Sequence, residues 1–159
     1  MTTPPPPPVS AARLQGTYLM AGRVTAAQAV RGEHAGEHVR RSWTFTPQCA
    51  TGPCSKVTLV RRRHSAADSL VLHRRAPGRY SGNGSFFAPL RCAGRTYRHG
   101  ERVPFTITVR ITAAASVNGV IVATRLRATY VNRTRINLTP CVVAPGHDAA
   151  TYRGQPATG

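Results

Sequence analysis

The eight residues Phe105-Thr106-Ile107-Thr108-Val109-Arg110-Ile111-Thr112 alternate apolar and polar without a break. A period of two puts Phe105, Ile107, Val109 and Ile111 on one face of an extended strand, so this stretch is not a helix and its apolar face must be covered. Asn118-Gly119 follows, the dipeptide suited to a two-residue hairpin turn. Beyond it Val120, Val122, Leu126, Ala128 and Tyr130 share one face, while Arg125, Arg127 and Thr129 take the other. A hairpin with one apolar side is marginal alone and needs partner strands.

The rest of the chain supplies them. Tyr18, Met20 and Val24 share a face, and Trp43 and Phe45 alternate with Thr44 and Thr46 until Pro47 stops the strand. Val57 with Leu59, and Leu70 with Leu72, repeat the pattern. A second Asn-Gly pair, Asn83-Gly84, lies between Tyr80 and Phe86-Phe87 and reads as another hairpin turn. Residues 26–30 suggest one helical turn. Seven or eight short strands in 159 residues predict an all-β fold, an antiparallel meander closed as a sandwich or a barrel. No run of about 18 apolar residues is present, so no helix of this chain is expected to span a membrane. Residues 1–13 read as a proline-rich linker or stalk, 14–156 as the β-domain, and 157–159 as a tail.

Charge narrows the partners. Lys and Arg number 22 against 5 Asp and Glu, a formal charge of +17, and Lys56 is the single lysine. Such an excess raises the local concentration of any polyanion: nucleic acid, anionic lipid headgroups or phosphate-bearing wall polymers. Arg61, Arg62 and Arg63 enter a turn, Arg74 and Arg75 leave the next strand, and Arg79 is near. If the two segments pair, these arginines meet at one sheet region, where guanidinium groups grip phosphate or carboxylate bidentately. The same residues also suit a charged edge that discourages sheet-to-sheet association. Arg61 and Arg63 share the parity of Leu59, which leaves the register of this hairpin open. Nucleic acid is the less favoured partner, because sequence reading wants a groove-entering helix or exposed aromatics. Aromatic residues are 6% of the chain, and Trp43 and Tyr130 look inward.

Catalytic constellations are weak. His34-Ala35-Gly36-Glu37-His38 matches the H-x-x-E-H of inverted zinc peptidases, whose chemistry needs both histidines on one helix face. Gly36 inside the motif and Gly32 before it favour a polar loop between strands instead. His64, Ser65 and Asp68 are nearly consecutive and crowd one turn, which excludes a base held between two partners. Paired carboxylates have few players: Glu33 and Glu37 share a loop, and Asp148 lies near the tail. No glycine-rich phosphate loop is present. The expectation is a non-catalytic protein with no metal and no cofactor.

Four cysteines, Cys49, Cys54, Cys92 and Cys141, allow three pairings. Cys49 and Cys54 flank a short turn and can close a small loop, in which case Cys92 and Cys141 close a long one. Neither pair has the spacing of a zinc site. Disulfides imply an oxidising compartment, whereas a cytoplasmic chain would keep its thiols free. The first residues carry neither a basic segment nor an apolar one, so a disulfide-bonded chain implies a signal or anchor preceding it. The five prolines at 4–8 then form a stiff spacer.

The order Gly16, Tyr18, Arg41-Ser42-Trp43-Thr44-Phe45, Cys49, Cys54, Cys92, Cys141 and Tyr152-Arg153-Gly154 resembles that of small extracytoplasmic β-domains of actinobacteria. The likeness spans roughly residues 14–156. It implies the pairing Cys49–Cys54 with Cys92–Cys141, a secreted or membrane-anchored location, and no catalytic residues. A fainter likeness is to calycin barrels, which open on Gly-x-Trp where this chain has Tyr18. The expected role is a binding or structural domain of the cell envelope, touching an anionic polymer or a protein partner, with any membrane contact through an anchor outside this chain. One alternative is a small-ligand barrel whose cavity is lined by Trp43, Phe45 and Tyr130. The other is a cytoplasmic nucleic-acid binder.

Overall fold

In the computed structural model, which describes residues 2–63 and 66–158, the strands are β1 (Gly16–Gln28), β2 (His38–Pro47), β3 (Lys56–Arg62), β4 (Ala67–Ala76), β5 (Arg79–Cys92), β6 (Arg95–Val117), β7 (Val120–Asn132), β8 (Ile136–Asn137) and β9 (His147–Pro156). β1 to β7 pair in sequence order, all antiparallel. β9 then enters between β7 and β1 and closes the ring. The result is an eight-stranded barrel, with the two-residue β8 added to β6 beyond the end of β7. Of sandwich and barrel, the barrel is correct, because β9 leaves neither β1 nor β7 with an open edge.

Parity decides the interior. Met20, Trp43, Leu59, Leu72, Ile107 and Leu126 are all buried to 2% exposure or less. The ring pairs Tyr18–Phe45 and Trp43–Tyr152 bring their centroids to 5.4 and 5.0 Å. The Tyr18 hydroxyl donates to the carbonyl of Ala123, and burial raises its pKa to about 12. Near the β6–β7 turn a bulge at Ala113 shifts the parity, so Ala114 and Ala123 face inward. Val120, grouped by the alternation with the inward set, is exposed.

Three local expectations are corrected. Asn83-Gly84 is not a turn: β5 runs through it, paired to β6 at Thr106 and Phe105. Gly84 is there because the Phe105 ring lies over it; a Cβ would sit 2.6 Å from that ring. The turns fall instead at residues 77–78 and 93–94. Residues 26–30 make no helical turn, since β1 continues to Gln28. Residues 9–13 are not linker in structure. They cross one end of the barrel, with Ala12 and Leu14 buried and Arg13 hydrogen-bonded to the backbone of Ile121 and Ala123. The only helical segment among the described residues is the 3-10 turn Val9–Ala11. Among them, no helix is long and apolar enough to cross a membrane.

The two ends differ. The lower end carries the N-terminal crossing and the Cys49–Cys54 disulfide, whose loop carbonyls at Cys49 and Gly52 accept from the Arg13 guanidinium at 3.1 and 3.0 Å. The upper end carries the connections after β1, β5 and β7, and there Cys92–Cys141 ties the β5 end to the segment before β9.

Candidate functional site

All five acidic residues stand at the upper end. Glu33 and Glu37 lie in the loop after β1, Asp68 starts β4, Glu101 opens the barrel part of β6, and Asp148 starts β9. Inward parity takes Arg61 down the same face as Val57 and Leu59, and Asp68 down the face of Leu70 and Leu72. They meet inside the wall as a bidentate pair at 2.9 and 3.0 Å. Arg63 donates to the same carboxylate at 3.0 Å. The Arg61 guanidinium lies 4.2 Å over the Phe105 ring and Arg63 lies 3.9 Å over Phe86, so both charges are held against aromatic faces as well. Across the mouth, Arg135 bridges Glu101 at 3.0 Å and Asp148 at 3.3 Å. Burial works against the Arg135 charge, but Asp148 and Glu101 outweigh it and raise its pKa.

Glu33 is the perturbed acid. Burial first, then the charge of Asp148, push its carboxyl up to about 7. Burial also raises the hydroxyl pKa of Tyr130 and Tyr152, which form the floor of the mouth.

With the acids gathered there, the outer wall is left basic. The cross-strand register sets Arg79 opposite Arg110, Arg110 opposite Arg127, and Arg127 opposite Arg153. Four exposed arginines therefore stand in one row on four neighbouring strands. Ala21 and Arg40 continue the row on β1 and β2. Strand spacing of about 4.8 Å makes the four-arginine stretch about 14 Å long. A parallel row of Thr108, Thr129 and Thr151 borders it, and the two rows line a depression of about 740 Å³. None of the four arginines is in an ion pair among the described residues.

The arginines singled out from sequence divide. Arg61 and Arg63 are spent on Asp68 inside the mouth. Arg62 is exposed at the same end of the hairpin, whereas Arg74 and Arg75 are exposed at the far end of β4, roughly 20 Å away along the strands. They do not meet at one region, because Arg62 pairs with Ala67 while Lys56 pairs with His73. Arg74 and Arg75 bond Ser10 and Ser81. Only Arg79 belongs to the row. Arg110, Arg127 and Arg153 escape a search for consecutive basic residues, since none adjoins another base in the chain and the pattern exists only across strands.

His34 and Glu37 form a tight loop, the Glu37 amide bonding the His34 carbonyl and its carboxylate accepting from the His34 amide, and His38 opens β2. That is the inter-strand loop expected, with no helix face. Of the three-residue cluster near the β3–β4 turn, His64 and Ser65 lie outside the described residues, and Asp68 is held by Arg61 and Arg63. Tyr130 lines the mouth, but Trp43 and Phe45 are packed in the core below it. No family model, no curated protein and no solved structure matches this chain.

Proposed function

We propose that this chain is a non-catalytic, extracytoplasmic binding domain that lies along an anionic polymer of the cell envelope through the row Arg79–Arg110–Arg127–Arg153. One observation carries the reading: a chain with 22 basic residues draws all five of its acids to one barrel end, leaving the register-aligned arginines of the wall without counter-charge. Like charges directly opposite on neighbouring strands destabilise a sheet. A polyanion laid across the strands relieves that repulsion and gains charge-assisted hydrogen bonds from planar donors. The two disulfides favour an oxidising compartment. The acids do not favour catalysis. Asp68, Glu101 and Asp148 are each ion-paired to an arginine, which takes three of the five carboxylates out of acid–base work.

Inorganic polyphosphate is the direct probe. Its affinity should fall linearly with the logarithm of salt, and the triple variant Arg110→Thr/Arg127→Thr/Arg153→Thr should flatten that slope by roughly one unit for each phosphate no longer neutralised. Threonine keeps strand propensity, so the variant folds. An unchanged slope in the triple variant, or an equal drop from Arg62→Thr/Arg74→Thr/Arg75→Thr, overturns the assignment. Tighter binding of single-stranded DNA than of polyphosphate at matched salt favours a nucleic-acid partner instead.

A further inference from the structure

The inside of the barrel carries a second, separate site. Above the packed core the mouth encloses about 660 Å³, the size of a small-molecule pocket. Its walls are apolar at Val24, Val39, Phe86 and Ala150, and its floor is Tyr130 and Tyr152. Within this lining stand groups whose hydrogen-bonding capacity is unused. Asp148 is 4% exposed and its Oδ1 has no partner, and the Nε of the adjoining Arg135 is buried without an acceptor. Tyr18 and Tyr80 donate to backbone carbonyls, but the hydroxyls of Tyr130 and Tyr152 bond no protein group among the described residues.

These unmet groups are of one kind. An orphan acceptor lies beside an orphan donor, and each tyrosine hydroxyl both gives and accepts. A hydroxyl is the simplest group that answers all of them, accepting from Arg135 Nε while donating to Asp148 Oδ1. Charge argues the same way. A ligand anion meets Glu33, Glu37 and Asp148, and a ligand cation meets the six arginines of the lining, Arg135 and Arg41 among them, so a charge of either sign meets like charge there. An uncharged ligand avoids both penalties and lays its C–H faces on the aromatic rings. We infer that the barrel mouth is a binding site for a small neutral, hydroxyl-rich ligand of the saccharide class, held by Asp148, Arg135, Tyr130 and Tyr152, with Glu33 at the rim. The site opens at the barrel end rather than on the outer wall and needs no polymer there, although His38 and Tyr152 border both cavities.

Glu33 makes the site pH-sensitive. It faces Asp148 and Arg135 from β9 and the segment before it, Glu37 from its own loop, and Tyr130 and Tyr152 from the floor. Protonated, it supplies a donor; ionised, it only accepts and repels Asp148. Raised to about 7, it loses the proton as pH climbs through neutrality, so affinity falls above that point.

The test is titration of the intact, oxidised protein with glucose, maltose and myo-inositol, read by NMR on the Arg135 Nε–H and the Tyr130 and Tyr152 ring protons. Cyclohexanecarboxylate and cyclohexylammonium serve as charged comparators. Saturable shifts with at least one neutral probe are expected, weakened about tenfold by Tyr130→Phe/Tyr152→Phe. That variant removes two hydroxyls the fold does not use, so it folds. Glu33→Gln keeps a donor and an acceptor; it should bind within about twofold of wild type at low pH and lose the pH dependence. Absence of shifts with all three neutral probes overturns the site, as does binding of only a charged comparator or affinity unmoved by the tyrosine pair. Polyphosphate affinity, governed by the outer wall, should be the same in these variants.

Discussion

Arg61 shows how one residue converts parity into architecture. An arginine at 5% exposure inside a barrel wall is tolerable only because Asp68 meets it with two hydrogen bonds and Phe105 and Tyr130 lie against its plane. Removing one partner of a buried pair leaves an unpaired charge in a low-dielectric site, which costs about 3–5 kcal/mol. Asp68→Ala should therefore lower unfolding stability by that order in urea, whereas Arg61→Met/Asp68→Leu should cost far less. A drop below about 1 kcal/mol in the single variant would mean that Arg61 reaches water by another route. The pair is half legible in the sequence. The chain positions of Arg61 and Leu59, and of Asp68 and Leu70, place both charges inward, but their meeting needs the register that sets Arg61 opposite Asp68. Glu33 and Asp148, 115 positions apart, have no such local sign.

At the scale of strands, alternation is reliable and turn chemistry is not always so. Phe105 to Thr112 and the Asn118-Gly119 turn are as their pattern requires, with Asn118 and Gly119 both at positive φ. Asn83-Gly84 has the same letters and a different cause: Gly84 is small so that Phe105 can lie over the strand. Sequence distinguishes these two uses of glycine only when the cross-strand neighbour is known. Gly84→Ala puts a Cβ 2.6 Å from the Phe105 ring, and Phe105 packs in turn on Tyr130 and Arg61. Overpacking of this kind costs about 1–3 kcal/mol. A lowered melting temperature with unchanged polyphosphate binding is expected, since the arginine row stands on the other face; a turn at this position would instead accept alanine with little change. The row itself is invisible in the sequence for a related reason. It is one residue deep on each strand, and only the ladder of the closed barrel aligns its members.

The whole molecule separates its charges, acids with their arginine partners inside one mouth and unpaired bases around the wall, and the two sets answer salt differently. The +17 chain repels itself over distances comparable to the Debye length, about 10 Å at 0.1 M, so exposed wall charges are screened strongly. The mouth pairs are 5–25% exposed and are screened much less. Disulfides do not respond to salt at all. The one closing 49 residues stabilises by about 4 kcal/mol and the one closing 5 by about 2, on the chain-entropy account. Screening therefore removes more repulsion than attraction, and the melting temperature of the oxidised protein should rise as ionic strength goes from about 0.01 to about 0.3 M. Polyphosphate at fixed ionic strength should raise it further, because a ligand of the folded wall stabilises by mass action. Calorimetry at both salts checks this: a melting temperature that falls with salt would mean that the ion pairs of the mouth, not the repulsion of the wall, dominate the electrostatics of the fold.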